Sequence, residues 1–299
     1  MPPQTKEFFM IEITASLVFS LLPPRTPDAH KGMYGKLLLT AGSSRYRGAA
    51  QLAAAGALRI GTGLVTLAST ERVIAAAALA LPECIYLPLG ESVTGTIAAS
   101  SLPALLAAAE GSTALAVGCG LAQSPDTAAL VLGLAKHAGC PLLVDADGLN
   151  LLAGQLDLLK GRAFPTVLTP HPGEMARLCG CTAAEVQAAR EDSACSLARR
   201  TGCVVVLKGR GTLVAAPDGR CFYNTCGGPG LARGGSGDVL TGLIGGLLAQ
   251  GLAPLDAAVC GVWLHGTAAD ACAARRGVIS MLPHELLDDL CTLLAARRL

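Results

Sequence analysis

The feature that most constrains this chain is the alternation of short, almost wholly apolar runs with longer alanine-rich ones. Residues 36–40, 64–68, 114–117, 141–144, 166–169 and 204–207 read as strands, and their near-continuous apolar character implies burial on both faces. Between them, residues 49–60, 126–138 and 184–200 read as helices. The last is opened by a capping box in which Thr182 stands three residues before Glu185. Strands and helices alternating in this way make βαβ units, hence a mostly parallel central sheet with helices on both faces. The pattern changes once, where residues 212–216 and 221–223 are joined by Pro217-Asp218-Gly219-Arg220, the signature of a hairpin and so of an antiparallel excursion. No proline-rich, serine-rich or charged linker and no solenoid period interrupts the chain, so residues 1–299 are expected to form a single α/β domain.

Composition narrows what such a sheet can do. Hydrophobic residues make up 52% and aromatic residues only 3%, so Ala, Leu, Val and Gly must fill the core and the helices must pack closely. With 23 basic and 22 acidic residues the formal net charge is +1, and no block of like charge offers a footprint for nucleic acid or an anionic membrane. A small-molecule partner is expected instead. The 12 cysteines are scattered, with only Cys179 and Cys181 close in sequence and no C-x-x-C pair. That spacing does not suit zinc, and it points to structural thiols in the reducing cytoplasm. Residues 13–22 are apolar but come after Glu7 and Glu12 and run into Pro23-Pro24-Arg25, which makes a poor signal peptide. Residues 239–255 are slightly short for a membrane span, carry Gly245-Gly246 and Pro254, and lie between Asp238 and Asp256, which suits a buried helix of a soluble core.

Ligands of open parallel sheets sit beyond the carboxyl ends of the strands. The segments at those ends are polar and glycine-rich: Ala41-Gly42-Ser43-Ser44, Gly118-Cys119-Gly120, Asp145-Ala146-Asp147, Pro170-His171-Pro172-Gly173-Glu174 and Lys208-Gly209-Arg210-Gly211-Thr212. The sharpest segment is 224–238, which contains Gly227-Gly228 and ends in Gly234-Gly235-Ser236-Gly237-Asp238 before an apolar helix. Glycines let a backbone approach a ligand, and consecutive N–H groups at a helix start attract an anion. Asp238 could there accept a proton from a substrate hydroxyl while the amides of Gly235 to Gly237 stabilise a moving phosphoryl group, or it could simply be an N-cap. Three rival motifs fail. Gly118-Cys119-Gly120 lacks the third glycine of a dinucleotide fingerprint, Lys208-Gly209 reverses the Gly-Lys of a Walker loop, and the Gly234 segment misses the nucleophile elbow by ending in Asp.

The glycine-rich turn ending in Gly237-Asp238 resembles the anion hole and catalytic Asp of ribokinase-like kinases. Further segments narrow the resemblance to the NAD(P)H-hydrate dehydratases: His30-Lys31-Gly32-Met33-Tyr34-Gly35-Lys36, Ala41-Gly42-Ser43 with Gly48-Ala49, Val117-Gly118-Cys119-Gly120-Leu121, Asp145-Ala146-Asp147-Gly148-Leu149-Asn150, Thr169-Pro170-His171-Pro172-Gly173-Glu174, and residues 234–242. These matches run in order over residues 28–285. The resemblance implies a ribokinase-like three-layer sandwich and a repair reaction in which the hydroxyl of hydrated NADH or NADPH is phosphorylated and phosphate is then eliminated. ADP is the expected donor, as in bacterial members, with ATP the alternative. By position, Ala49, Gly120, His171 and Asp238 match residues that contact the hydrate. Lys208, Gly209, Arg210, Gly211 and Thr212, with Gly228, Gly234, Gly235, Ser236 and Gly237, match the nucleotide contacts. Glu174 matches the acid that organises Mg2+, His171 standing where many related kinases have Asn. Asp145 and Asp147 could help hold metal-bound water or cap the next helix, Lys208 could meet phosphate or form a surface ion pair, and Cys119 replaces a proline usual in that turn. The resemblance further implies a homotetramer and an epimerase on a separate chain. The same site chemistry would serve a vitamin-precursor or sugar kinase, whereas a non-catalytic adenylate sensor would need the loss of Asp238, which is present.

Overall fold

Alternate residues of the strands enter two separate cores, which is why the strands are apolar throughout. The computed structural model describes residues 10–296. In chain order its strands are β1 (Met10–Glu12), β2 (Lys36–Thr40), β3 (Leu64–Thr70), β4 (Ile85–Leu89), β5 (Ala114–Val117), β6 (Leu142–Val144), β7 (Thr166–Leu168), β8 (Val204–Leu207), β9 (Thr212–Ala215) and β10 (Cys221–Asn224). They form one sheet in the order β1-β10-β9-β8-β7-β6-β5-β2-β3-β4. Only β9 runs against its neighbours, as expected of a single hairpin excursion. Leu37 and Leu39 of β2 join one core and Leu38 the other; Val204 and Val206 of β8 are separated from Val205 in the same way.

The helices divide between the two faces. One core is closed by α1 (Ala15–Leu21), α2 (Arg47–Arg59), α3 (Glu71–Ala78), α10 (Ser236–Ala249), α11 (Pro254–Arg276) and α12 (Leu286–Ala295). The other is closed by α4 (Leu102–Glu110), α5 (Pro125–His137), α6 (Ala146–Leu152), α7 (Pro172–Cys179), α8 (Ala183–Ala188) and α9 (Arg190–Thr201). The result is a three-layer sandwich. No helix of the described residues is long and apolar enough to cross a membrane.

The structure corrects two readings of the sequence and adds a helix and two strands. Residues 184–200 are not one helix: the capping box of Thr182 and Glu185 does open α8, but Ala189 (φ −139°, ψ 56°) breaks the run before α9. Residues 239–255 are likewise two elements, because α10 stops at Ala249 and Gly251 (φ 90°) turns the chain into α11. The apolar residues 13–22 form α1, capped by the Thr14 hydroxyl and anchored by buried Val18. β1 and β4 went unread because they are edge strands: β1 is short and half exposed, while β4 carries Pro88 and shows Ile85 to solvent.

Small residues bring α10 onto α2. A Cβ added to Gly242 would lie 2.0 Å from the Ala53 carbonyl oxygen, so the two backbones touch there. Because that neighbour is backbone and cannot rotate away, Gly242→Ala should destabilise the fold by ~1–3 kcal/mol or more through overpacking, and should disturb the helix that starts at the glycine turn. Chemical denaturation of the variant checks this; a midpoint equal to wild type would mean the helices can separate at no cost.

Candidate functional site

The chain lays β3 and β4 on one side of β2 and then returns to place β5 on the other. The loops leaving β2 and β5 therefore part at their carboxyl ends, and this is where an open α/β sheet forms its crevice. The two loops are stitched together: Gly42 N–H donates to the Cys119 carbonyl at 2.8 Å, and the Ser43 hydroxyl donates to the Gly120 carbonyl at 2.8 Å. Gly120 has φ 61°, and a Cβ there would stand 2.7 Å from that of Ala49. Ala49 and Gly120, each matched by resemblance to a residue that contacts the hydrate, are thus direct neighbours.

Beside this crevice opens a cleft of about 920 Å³. It is lined by the loop from Lys208 to Thr212, by residues 224–229, by the turn before α10, and by His171, Glu174 and Asp238. All ten residues expected to contact nucleotide lie along it. Ala49 and Gly120 are not on its wall. Cys119, next to Gly120 in sequence, has its Sγ within 4.8 Å of carboxylate oxygens of Asp145 and Asp238, which do line the cleft.

The glycine turn is built as the sequence suggested, with one change. Gly235 is the N-cap of α10 at φ 99°, a conformation costly for any side chain. Ser236 N–H is used internally, donating to the Arg233 carbonyl at 3.3 Å, and Val239 N–H donates to Gly235. The N–H groups of Gly235, Gly237 and Asp238 have no partner among the described residues, so the anion-attracting set is these three rather than Gly235 to Gly237. Asp238 sits in the first turn but is not the N-cap and makes no capping bond. Burial, with the nearby Asp145 carboxylate, pushes its pKa up to about 7; the Cys119 thiol and Lys208 pull the other way.

Asp145 is the hub of the charged floor. Its Oδ1 accepts from the Thr169 hydroxyl at 2.7 Å and from Lys208 Nζ at 2.6 Å, and its Oδ2 accepts from the Thr241 hydroxyl at 2.8 Å. Burial opposes ionisation, but the Lys208 ammonium and these bonds override it and hold Asp145 below the usual carboxylate range. Lys208 therefore makes an ion pair, though not a surface one: it is 18% exposed, and Glu174 Oε2 lies 3.7 Å away on its other side. Burial disfavours its charge, yet the two carboxylates raise its pKa. Burial, and then Asp145, raise the pKa of Glu174 against the pull of Lys208. Asp145 occupies the N-cap position of α6 without a capping bond, while Asp147 accepts from Ala122 N–H at 2.8 Å and from Gln123.

His171 and Glu174 form a reciprocal cap on α7. His171 Nδ1 accepts from the N–H groups of Gly173 and Glu174, and Glu174 Oε2 accepts from His171 N–H at 2.8 Å. Burial, with Lys208 next, lowers the His171 pKa, so the ring is neutral at neutral pH. With Nδ1 an acceptor, the proton is assigned to Nε2, 3.2 Å from Glu174 Oε1.

Of the cysteines, eight are buried, in keeping with a structural role, but Cys119 belongs to the site. Its thiol lies 3.8 Å from Asp145 Oδ2, and burial, with the Asp238 and Asp145 charges, pushes its pKa well up. Two residues of α11 were missed in the sequence. Asp270 accepts from the N–H groups of Gly227 and Gly228, both at 2.9 Å, pinning that loop to the helix. His265 is buried and held neutral by burial, its pKa near 4, with Nε2 unpartnered among the described residues. Their only signal was a polar residue inside a run as apolar as Ala268-Ala269-Asp270-Ala271.

A parallel sandwich with one reversed strand, a glycine anion turn at a helix start and a carboxylate in that helix's first turn define a ribokinase-like protein. The chain belongs to the NAD(P)H-hydrate dehydratase family, whose pattern it matches over residues 37–292. It is 41% identical over 264 residues to the ADP-dependent (S)-NAD(P)H-hydrate dehydratase of Xanthomonas campestris, covering 88% of this chain and 89% of that one. It is 44% identical over 286 residues to the bifunctional NAD(P)H-hydrate repair enzyme Nnr of Moorella thermoacetica, covering 96% of this chain and 54% of that protein. The chain thus spans about half the length of several curated relatives it matches. Among solved structures, the ADP/ATP-dependent NAD(P)H-hydrate dehydratase of Bacillus subtilis, co-crystallised with ATP and Mg2+, superposes with a TM-score of 0.82 at 34% identity, over 96% of this chain and 98% of that one.

Proposed function

We propose that this chain removes the added water from the S form of hydrated NADH or NADPH, with ADP as phosphoryl donor and AMP and phosphate as products, ATP being the alternative donor. The observation that carries this reading is the Asp238 carboxylate, held at a pKa of about 7 beside the unpartnered N–H groups of the α10 turn. The ionised carboxylate takes the proton of the ring hydroxyl as that oxygen attacks the terminal phosphorus. The bond from phosphorus to the departing AMP oxygen breaks, and the N–H groups of Gly235, Gly237 and Asp238 offset the charge on the moving phosphoryl group. Phosphate then leaves the ring with its bonding pair, a ring proton is lost, and the dihydronicotinamide double bond returns.

Nucleotide would lie along Lys208 to Thr212, Gly228 and Gly234 to Gly237, and the hydrated ring against Ala49, Gly120 and His171. Small side chains at 49 and 120 leave room for a ring, and the Nε2–H of His171 supplies a donor. The floor also fits Mg2+: it offers hard oxygen donors, and the carboxylates of Asp145, Glu174 and Asp238 outnumber the one ammonium. Because the oxygens of Asp145 and Glu174 are already hydrogen-bonded within the protein, Glu174 and Asp145 would hold the ion through water. When bound, the ion supplies positive charge to the phosphoryl oxygens. In this reading residues 1–299 act as one domain in the cytoplasm, as a homotetramer, with an NAD(P)H-hydrate epimerase on a separate chain as functional partner.

Incubating the purified chain with hydrated NADH and ADP should restore dihydronicotinamide absorbance and produce AMP and phosphate; ATP run in parallel decides the donor. Accumulation of a stable phosphorylated hydrate without NADH would mark an ordinary kinase. Since the base works only when ionised, kcat/KM should climb as pH rises through about 7 and reach a plateau above it. A flat profile from pH 5 to 8 would remove Asp238 from the proton transfer.

A further inference from the structure

The break between α8 and α9 has no glycine or proline to explain it, and the residue just after it reaches a loop beyond the next strand. Arg190 opens α9 and points its guanidinium at the back of the loop from Lys208 to Thr212. Nη2 donates to the carbonyls of Leu207 at 3.1 Å, Lys208 at 3.3 Å and Gly211 at 3.3 Å. Nη1 donates to the Lys208 carbonyl at 3.3 Å and to Gln187 Oε1 at 3.0 Å. The loop lines the cleft and Arg190 does not, so the guanidinium supports it from behind.

Resting on the reading that this cleft takes an adenine nucleotide, we infer that Arg190 is a positioning residue for that nucleotide: by gathering the Leu207, Lys208 and Gly211 carbonyls on the far side, it turns the loop's amide face toward the cleft. A trans peptide points its N–H away from its C=O, so fixing the Lys208 carbonyl on Arg190 aims the Gly209 N–H at the cleft side. That N–H has no partner among the described residues. Left alone, the carbonyls after β8 could turn inward and repel a phosphate. Gly209 is required by the same arrangement, because a Cβ there would lie 3.0 Å from Arg190 Nη1 at φ 131°. No carboxylate of the described residues lies within ion-pair distance of Arg190, so its charge is spent on carbonyls and adds to the loop's attraction for anions. The five-donor fork matters as well as the charge: the guanidinium reaches four acceptors from two nitrogens, whereas an ammonium has three donors on a single nitrogen and cannot span them all.

The test uses the full chain with Arg190→Met, which keeps the stem, and Arg190→Lys, which keeps the charge. ADP affinity is read by calorimetry, with kcat and KM for ADP from recovery of NADH. For Arg190→Met, Kd and KM should rise ~10- to 100-fold while kcat changes by less than about 3-fold and the pH midpoint stays put; Arg190→Lys should recover only part of the loss. Unchanged ADP affinity in the variants, or a fall in kcat at constant KM, would overturn the inference and leave the function intact. If Arg190→Met does not fold, Arg190→Lys decides by the same measure. Failure of the wild-type chain to bind ADP or ATP would instead sink the functional reading and this inference with it.

Discussion

Asp238→Asn should lower kcat by ~10²- to 10⁴-fold or more while ADP binds as in wild type, because the exchange keeps shape and removes only basicity. The N–H groups of Gly235, Gly237 and residue 238 survive the change, so the anion turn is untouched. An N-capping role would predict the opposite, since Asn caps as well as Asp, but Gly235 already occupies that position. Stability supplies a second readout. Burial raises the Asp238 pKa from 3.8 to about 7, so the folded protein holds a proton that the unfolded chain has released between those values, and the Asp238 contribution to stability falls as pH rises from about 4 to 7, while buried His265, with its pKa lowered to about 4, contributes the opposite trend up to about 6.5 in wild type and variant alike. Above pH 7 the folded state carries the whole cost of the buried charge. The Asn variant escapes it and should be the more stable protein at pH 8, inactive yet better folded. Denaturation midpoints measured at pH 5 and pH 8 check this; a variant that keeps most of its activity would end the assignment of Asp238 as base.

Lys208→Met should produce the largest loss of stability of any single change in the site. It leaves Asp145 and Glu174 buried without their cation, and breaking a buried pair by removing one partner costs about 3–5 kcal/mol. The sign of the pH dependence separates this cause from lost packing. In wild type the depressed Asp145 pKa contributes stability that is present above its unfolded value and lost as the solution is acidified through its folded one. Without Lys208 both carboxylates titrate high, so the variant should gain stability relative to wild type as pH falls from 7 toward 5. Adding Asp145→Asn should recover part of the loss at pH 7, a coupling that a double-mutant cycle measures. Equal deficits at pH 5 and 7 would point to packing alone.

Which features were legible depends on how local their causes are. β2, β5 and β8 were bounded correctly because both faces of each strand are buried and the apolar run stops where burial stops. The Thr182 and Glu185 box is a bond between near neighbours, and it held. The break at Ala189 is not local: it serves Arg190 and carbonyls of a loop beyond the next strand, so helix propensity gave no warning of it. The charged floor was only half visible for the same reason. Lys208, Asp145 and Glu174 could each be singled out at a strand end, but their pairing depends on β6, β7 and β8 lying side by side, and alternatives such as a cap or a surface ion pair stayed open until then. Cys119 was marked only as a substitute for a turn proline, and it is the approach of Asp145 and Asp238 that brings its thiol into the site.

The strand order also dictates when the chain can be finished during its synthesis. Of the ten strands β1 is made first but pairs with β10, Met10 opposite Cys221, so at ~5–20 residues per second it waits on the order of tens of seconds for its partner. α2 waits in the same way for α10, and its small-residue face stays uncovered until then. Asp238 arrives with that same helix, so a nascent chain can acquire much of the sheet but no base. Chaperone demand should therefore be greatest just before residue 250 emerges, and a product that ends before Asp238 would lack both α10 and the proposed base.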